Sequence, residues 1–468
     1  MSLFKGLLQM LLGSRKDEKS GLSGRMGGDE KINAAAIGNF GILVSILAGD
    51  SNNRLQGQIV EWLSGPTRAG LAVRAFPKQL LLNPHDGVLH KQIFAAVLRG
   101  REWLLEEKAD LMLWGGVENG VLRLNFLPTL FETEPRLGSF SSADRLEFPI
   151  DPVSGLSEAG SDILYGAALA ASLPSNDGQF HRQRSLLPAL LLPIEKIALN
   201  KAFLPPGMPP GPLLGCYAAM CAGMAAGTPG APGEEWLKKS LAAYKNLLAG
   251  LNKETQAFDW GIRQEGVGVG LIAIGERKKD KTSIEAGIAA FREAASALGR
   301  ENYPQHWASI KLRIGGNYHK LGMLEGSSQH FKQSVESFVQ AAEVLTRGTD
   351  PVRWADLQNN LGRVLYDMGE RANAIPVIEQ AVAAFRLSLE ARSRELAPAY
   401  WASTQNNLGT ALFALGKRNN NKPDLEGAAE CFRSAIEVYQ QLGSGNNVLV
   451  ASKNLSRVER LLETRASG

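Results

Sequence analysis

The sequence is poor in the residues that build disulfide frameworks and metal centres. Its 468 residues include only three cysteines and six histidines. Cys216, Cys221 and Cys431 have no metal-ligand spacing and make no disulfide framework, so a reducing, cytoplasmic compartment is favoured. No histidine stands with a serine or cysteine in a recognisable catalytic motif. We therefore predict no catalytic, cofactor-binding or metal site, and a protein that is not an enzyme.

Long apolar runs and one-sided charge are also missing. No run approaches the roughly 18 apolar residues that a membrane-spanning helix needs. The formal net charge is only +4, and acidic and basic residues are interleaved without a Lys/Arg stripe suited to a phosphate backbone. These absences exclude a helical membrane span and argue against a nucleic-acid partner.

The first residues carry an amphipathic stripe. Apolar side chains recur at helical spacing through residues 3–12, and a polar, glycine-rich stretch follows to residue 31. We predict an amphipathic helix with a flexible tether over residues 1–31. Residues 2–13 are suited to peripheral contact with an inner membrane, and docking on a partner or on the chain's own domain is the alternative.

The C-terminal half repeats itself at a constant step of 47 residues. The four columns are Trp260, Trp307, Trp354 and Trp401; Gly268, Gly315, Gly362 and Gly409; Gly275, Gly322, Gly369 and Gly416; and Phe291, Phe338, Phe385 and Phe432. Four columns in one register indicate a repeat array, whose extended surface is suited to binding.

Each unit has the pattern of a helical hairpin. Apolar and small residues follow a helical stripe from Trp401, and a second stripe surrounds Phe432 after a polar loop. We predict that Gly416 ends the first helix, as glycine commonly does. Gly409 lies in mid-helix, where glycine costs about 1 kcal/mol relative to alanine, so close helix–helix contact is expected there.

These units resemble the tetratricopeptide repeat (TPR). Leu361-Gly362 and Leu408-Gly409 match its first-helix signature, and Phe385 between Ala381 and Ser388 matches its second. The run Gln-Asn-Asn-Leu-Gly is similar to the kinesin-light-chain type, although the period exceeds the usual ~34 residues. We predict a solenoid over residues 213–465, with about five helical hairpins and a capping helix. Residues 156–212 are predicted to be a helical connector with a Pro/Gly linker.

The N-terminal half shows a different pattern. Short apolar runs alternate with amphipathic segments, and Asn119-Gly120 is typical of a hairpin turn. We predict an α/β domain over residues 32–155. The stretch from Ala109 to Val117 resembles the amino-terminal α/β domain of the periplasmic protein TolB, which implies an interaction or sensing module. The fold class is thus α+β multidomain, a small α/β domain followed by an all-α TPR solenoid.

The TPR resemblance implies that one face of each first helix lines a binding groove. The run Gln-Asn-Asn-Leu-Gly contains two neighbouring asparagines, which are poor helix formers. Their amides could bond the backbone of a bound peptide or form a hydrogen bond between helices, and both interpretations remain open. The predicted partner-binding residues are Asn359, Arg363, Tyr366, Asn406, Thr410, Phe413, His319 and Lys320.

We interpret the chain as a cytoplasmic, bacterial-type scaffold or adaptor that binds a protein or peptide partner in the TPR groove. One alternative is a membrane-surface assembly factor anchored by the N-terminal helix. Another is a ligand-sensing or enzymatic α/β domain regulated by the array. The pattern leaves self-association open.

Overall fold

The computed structural model describes residues 39–65, 68–82, 89–129, 137–141, 144–151, 155–174, 176–395 and 397–466. The predicted N-terminal helix, its membrane contact at residues 2–13 and the tether to residue 31 lie outside these ranges and stay predictions. None of the described helices is both long and apolar enough to cross a bilayer.

A mixed sheet occupies the region predicted to be the α/β domain. Its elements in chain order are β1 (Phe40–Ile46), α1 (Arg54–Ser64), β2 (Leu71–Gln79), α2 (Leu89–Glu106), β3 (Leu111–Glu118), β4 (Val121–Pro128) and β5 (Arg145–Pro149). The strand order is β2-β1-β3-β4-β5. β1 pairs in parallel with β2 and β3, whereas β4 pairs antiparallel with β3 and β5. The small sheet domain of the predicted fold class is confirmed.

Helices cover both faces of this sheet. Ile42 packs in the same core cluster as Ile59 of α1, whereas its neighbour Leu43 packs with Leu104 of α2. Successive side chains of a strand point to opposite faces, so a strand covered on both sides is a continuous apolar run. β5 is not among the strands predicted from the sequence; it is only five residues long, and Leu146 and Phe148 are its buried residues.

The rest of the described chain is helical. The helices are α3 (Glu158–Ala171), α4 (Asp177–Leu199), α5 (Pro210–Ala226), α6 (Gly230–Ala249), α7 (Ala257–Lys278), α8 (Lys281–Leu298), α9 (Pro304–Glu325), α10 (Ser328–Ala342), α11 (Pro351–Ala372), α12 (Ile375–Ala391), α13 (Pro398–Arg418), α14 (Lys422–Gln441) and α15 (Gly445–Ala466). From α5 onward they pack as hairpins, α5 with α6 through α13 with α14, and α15 comes last. The predicted all-α solenoid is confirmed.

The 47-residue columns occupy equivalent places in successive hairpins. Each tryptophan of the column is the fourth residue of its helix, α7, α9, α11 or α13. Each phenylalanine of the column is buried in the second helix of its hairpin. Its ring lies on a glycine of the first helix: a Cβ on Gly362 would stand 2.7 Å from Phe385 Cε1, and one on Gly409 would stand 3.0 Å from Phe432 Cε1.

The prediction that Gly416 ends its helix is wrong. α13 continues to Arg418, and the corresponding α11 continues past Gly369 to Ala372. These glycines serve packing, because a Cβ on Gly416 would stand 2.8 Å from Leu425 Cγ of the second helix. The left-handed residues that follow the helices form another column at the same step, Lys279, Gly326, Asn373 and Asn420.

Contacts divide the chain into two compact units, one ending at Tyr303 and the other beginning at Pro304. In the first unit the sheet, α1 and the helices α3 to α8 share a core cluster, and Arg263 of α7 forms a buried ion pair with Asp144 beside β5. The Pro/Gly linker predicted within residues 156–212 is partly helical, because Pro210 begins α5. The predicted limits 1–31, 32–155, 156–212 and 213–465 stay predictions.

The last hairpin offers a matched pair of aromatic substitutions. Phe432 is 1% exposed, whereas Phe413 is only partly buried. Replacing Phe432 with alanine should cost about 3–5 kcal/mol, because it leaves a cavity between α13 and α14. Phe413→Ala should cost clearly less. Urea unfolding of both variants checks this expectation, and equal losses would show that Phe432 does not close the hairpin.

Candidate partner-binding surface

The first helices of the second unit lie side by side. Between α9 and α11, Arg353 Nη1 donates to Ser309 Oγ at 2.7 Å. Between α11 and α13, Arg418 forms an ion pair with Glu370. Between α13 and α15, Arg465 Nη1 donates to the Gly416 carbonyl oxygen at 3.1 Å. Seams of polar contacts therefore join successive first helices, and the residues between the seams remain for other contacts.

Four of the predicted partner-binding residues share one face of these helices. Arg363 and Tyr366 lie one turn apart on α11, and Thr410 and Phe413 hold the same two positions on α13, because residues three or four apart share a helix face. We call these four residues the first-helix face. Arg363 is exposed and the other three are partly buried.

The aromatic members of this face have fixed surroundings. Tyr366 and Phe413 pack against the hydrophobic core of the unit while part of each ring stays accessible. Burial, followed by the nearby carboxylates of Glu370 and Asp367, raises the pKa of Tyr366 to about 12. The phenol therefore stays protonated at neutral pH and keeps a hydrogen to donate.

Asn359 has a partner within the protein. It is 9% exposed, and its Oδ1 accepts a hydrogen bond from Asn407 Nδ2 of the next first helix at 3.1 Å. This is a hydrogen bond between helices, one of the two roles that the sequence allows for the neighbouring asparagines. In the repeat register Asn360 corresponds to Asn407, and the position that corresponds to Asn359 one repeat earlier is Leu312. Asn360 therefore has no amide to bond at that position. The structure thus gives Asn359 a structural contact, and its role in partner binding stays a prediction.

Asn406 differs from Asn359. It is partly buried, and its Oδ1 is shielded from solvent without a hydrogen-bond donor among the described residues. Its backbone carbonyl accepts from Thr410 Oγ1 at 2.8 Å. The Thr410 hydroxyl is thus already used once, within its own helix.

The remaining two predicted residues lie on α9. His319 is 7% exposed, and its Nε2 lies 2.6 Å from Asp367 Oδ2 of α11, so it belongs to the seam between these helices. Lys320, its neighbour in sequence, is exposed. A partner therefore reaches Lys320 more readily than His319. Partner contact by either residue stays a prediction.

The capping helix carries residues that the sequence patterns miss. An open groove of about 680 Å³ lies between α13 and α15, and Phe413 is one of its walls. Lys453, Arg457 and Arg460 of α15 also line it, and they stand 47 residues after Asn406, Thr410 and Phe413. The register thus continues into α15 as the first helix of a further unit. Carrying the step one unit further would have found them.

Two tryptophans of the column contact arginine side chains that are also paired with glutamates. The guanidinium of Arg347 stands 5.9 Å from the Trp354 ring, and its Nη1 lies 2.8 Å from Glu390 Oε2. Arg394 repeats this one unit later, over Trp401 and paired with Glu437. Cation–π contacts of this kind stabilise by about 0.5–1 kcal/mol when exposed. These tryptophans are partly buried and engaged in contacts within the protein.

The comparison with protein families matches one hairpin in this half of the chain. Residues 354–392, which span most of α11 and all of α12, match the family model of the tetratricopeptide repeat. The resemblance to the tetratricopeptide repeat that the sequence predicts is confirmed. The match covers one hairpin, and the neighbouring TPR-like hairpins share its tryptophan, glycine and phenylalanine positions. No curated protein matches the chain.

The solved structures that show similarity to the chain include the following two. One is the Rap conjugation gene regulator of the plasmid pLS20 in complex with the Phr* peptide, at 16% identity and a TM-score of 0.30; the match covers 67% of this chain and 80% of that one. The other is the APC/C hetero-tetramer Cut9-Hcn1, at 13% identity and a TM-score of 0.21, covering 64% and 63% respectively. The repeat assignment rests on the family match and on the hairpins themselves.

The two neighbouring asparagines of α11 allow a controlled test of the seam. Asn359→Ala should be less stable than Asn360→Ala by about 1 kcal/mol, because only Asn359 loses a hydrogen bond to the next helix. The change in helix propensity is the same in both variants and cancels. Chemical denaturation measures the difference. Equal stability of the two variants would mean that the Asn359–Asn407 bond contributes nothing.

Proposed function

We propose that this chain is a non-enzymatic scaffold that binds an extended peptide segment of a partner protein across the first-helix face. The observation that carries the proposal is the repetition of an accessible aromatic ring beside a polar side chain. Tyr366 with Arg363 on α11 is followed by Phe413 with Thr410 on α13. TPR proteins are typically binding proteins without catalytic activity, and the family match supports the same role here.

The spacing of the helices suits an extended chain. Neighbouring packed helices lie about 8–10 Å apart, and an extended peptide advances about 3.3 Å per residue. Every third residue of such a peptide would therefore meet one first helix. Equivalent positions on α11 and α13 would then take equivalent side chains of the partner, with apolar groups on Tyr366 and Phe413.

The electrostatics of the face support a polar peptide backbone as the ligand. The protonated Tyr366 hydroxyl offers a donor, and the exposed Arg363 offers a charged one. Near Tyr366, Glu370 of α11 and Arg418 of α13 form an ion pair and neutralise each other's charge. Partner residues over these two helices would thus gain mainly apolar contact and hydrogen bonds.

Peptide-display selection with the full chain as bait tests this function. Selected peptides should bind the double variant Arg363→Ala/Tyr366→Ala at least about tenfold more weakly than the wild type, because it loses an apolar contact and a charged donor. Fluorescence anisotropy with labelled peptides measures the affinities. Arg386→Ala is the matched control, since this exposed arginine lies on the second helix α12.

Circular dichroism should show that the double variant keeps its helices, because Arg363 is exposed and Tyr366 is only partly buried. The proposal fails if every selected peptide binds the double variant and the wild type equally. It also fails if the selected peptides are weakened by Arg386→Ala instead.

A further inference from the structure

The groove between α13 and α15 has an apolar floor and a positive rim. Phe413 and Leu461 form the floor, and both pack against the core of the unit. The cations of the rim are Lys417, Lys453, Arg457 and Arg460. The groove is open to solvent and has a volume of about 680 Å³.

No described residue neutralises the four rim cations. All are exposed, and none forms an ion pair with another described residue. In the same unit, by contrast, Arg433 lies 2.8 Å from Glu459, and Arg418 pairs with Glu370. Four cations that no described residue pairs, all beside one groove, create a positive potential that attracts anionic groups.

We propose that this groove binds an acidic segment of the partner, with one apolar side chain on Phe413 and Leu461 and carboxylates on the rim. The proposal rests on the function proposed above and specifies the chemistry of the ligand. Charge complementarity selects the occupant, because carboxylates would satisfy the four cations while the apolar floor takes a neighbouring side chain.

The position of the groove also sets the direction of the bound segment. Lys453, Arg457 and Arg460 of α15 replace the neutral Asn406, Thr410 and Phe413 of α13 in the repeat register. Three of the four rim cations therefore lie on α15, and only Lys417 lies on α13. A peptide with carboxylates at one end would place that end at α15 and lead the other end towards Tyr366.

A nucleic acid is the competing anionic ligand, and the groove favours it less. Single-stranded nucleic acids bind through successive bases stacked on aromatic rings. The groove offers one ring, that of Phe413, and it is partly buried. The net charge of the chain, +4 over 468 residues, adds little general attraction for a phosphate backbone.

Anisotropy titrations with the full chain and short labelled peptides test the inference. The probe peptide carries glutamates around one leucine, and its control has glutamine at each glutamate. The glutamate peptide should bind at least about tenfold more tightly, and added salt should reduce this difference because exposed charges are screened. Equal binding of the two peptides, or no measurable binding of the glutamate peptide, overturns the inference.

Two charge-matched double variants locate the binding site. Arg457→Glu/Arg460→Glu should weaken the glutamate peptide at least about tenfold. Lys332→Glu/Arg386→Glu makes the same charge change at exposed positions of the second helices α10 and α12, and it should have little effect. Equal losses in both would assign binding to net charge alone and overturn the site.

Milder variants keep the test independent of folding. Arg457→Gln/Arg460→Gln removes the charges without introducing repulsion, and its melting temperature should stay near that of the wild type. An oligothymidine that displaces the glutamate peptide and binds more tightly would replace the peptide as ligand. If display-selected peptides depend on Tyr366 but the glutamate peptide does not bind, the proposed function stands and only the inference about acidic chemistry fails.

Discussion

The contact between a glycine of each first helix and a phenylalanine ring of its partner helix underlies the repeat. Gly268, Gly315, Gly362 and Gly409 meet Phe291, Phe338, Phe385 and Phe432 in this way. Glycine in mid-helix costs about 1 kcal/mol relative to alanine, and burial of a phenyl ring offsets that cost. The two helices of every hairpin cross at this contact, so the other columns recur at the same step of 47 residues. These columns are the tryptophan, the second glycine and the left-handed residue after the first helix.

This arrangement determines which surface is left for a partner. The second helix covers one side of each first helix, and polar seams such as Asn359–Asn407 and Glu370–Arg418 join neighbouring first helices. The first-helix face lies between those seams. The groove beside α15 extends it with Lys453, Arg457 and Arg460, where no further hairpin follows within the described residues. Partner binding is thus proposed on surface that these seams leave accessible.

The sequence predicts most of the fold because each hairpin depends on local, periodic contacts. The columns locate the helices and the buried phenylalanines, and apolar runs locate β1 to β4. The prediction that Gly416 ends its helix is wrong because two kinds of glycine look alike in sequence. One kind ends a helix, and the other makes room for a packed side chain, here that of Leu425. β5 is missed because it is short and its partner β4 sets its register. The Arg263–Asp144 pair joins residues distant in sequence, and no local pattern indicates it.

The candidate surface is less predictable than the fold. Helical periodicity puts Arg363, Tyr366, Thr410 and Phe413 on one face, but exposure depends on the neighbouring helix. His319 and Asn359 share that periodicity and are buried in the seams instead. The cations of α15 follow the same register, but α15 lacks the tryptophan and glycine of the columns and therefore resembles a solvated cap.

A double-mutant cycle on Gly362 and Phe385 tests the central claim most directly. With Phe385 present, Gly362→Ala should destabilise the protein, because the new Cβ would stand 2.7 Å from Phe385 Cε1. With Phe385 already replaced by alanine, Gly362→Ala should become neutral or stabilising by up to about 1 kcal/mol, through helix propensity alone. Unfolding free energies of the four proteins give this coupling. Stabilisation by Gly362→Ala in both backgrounds would contradict the account.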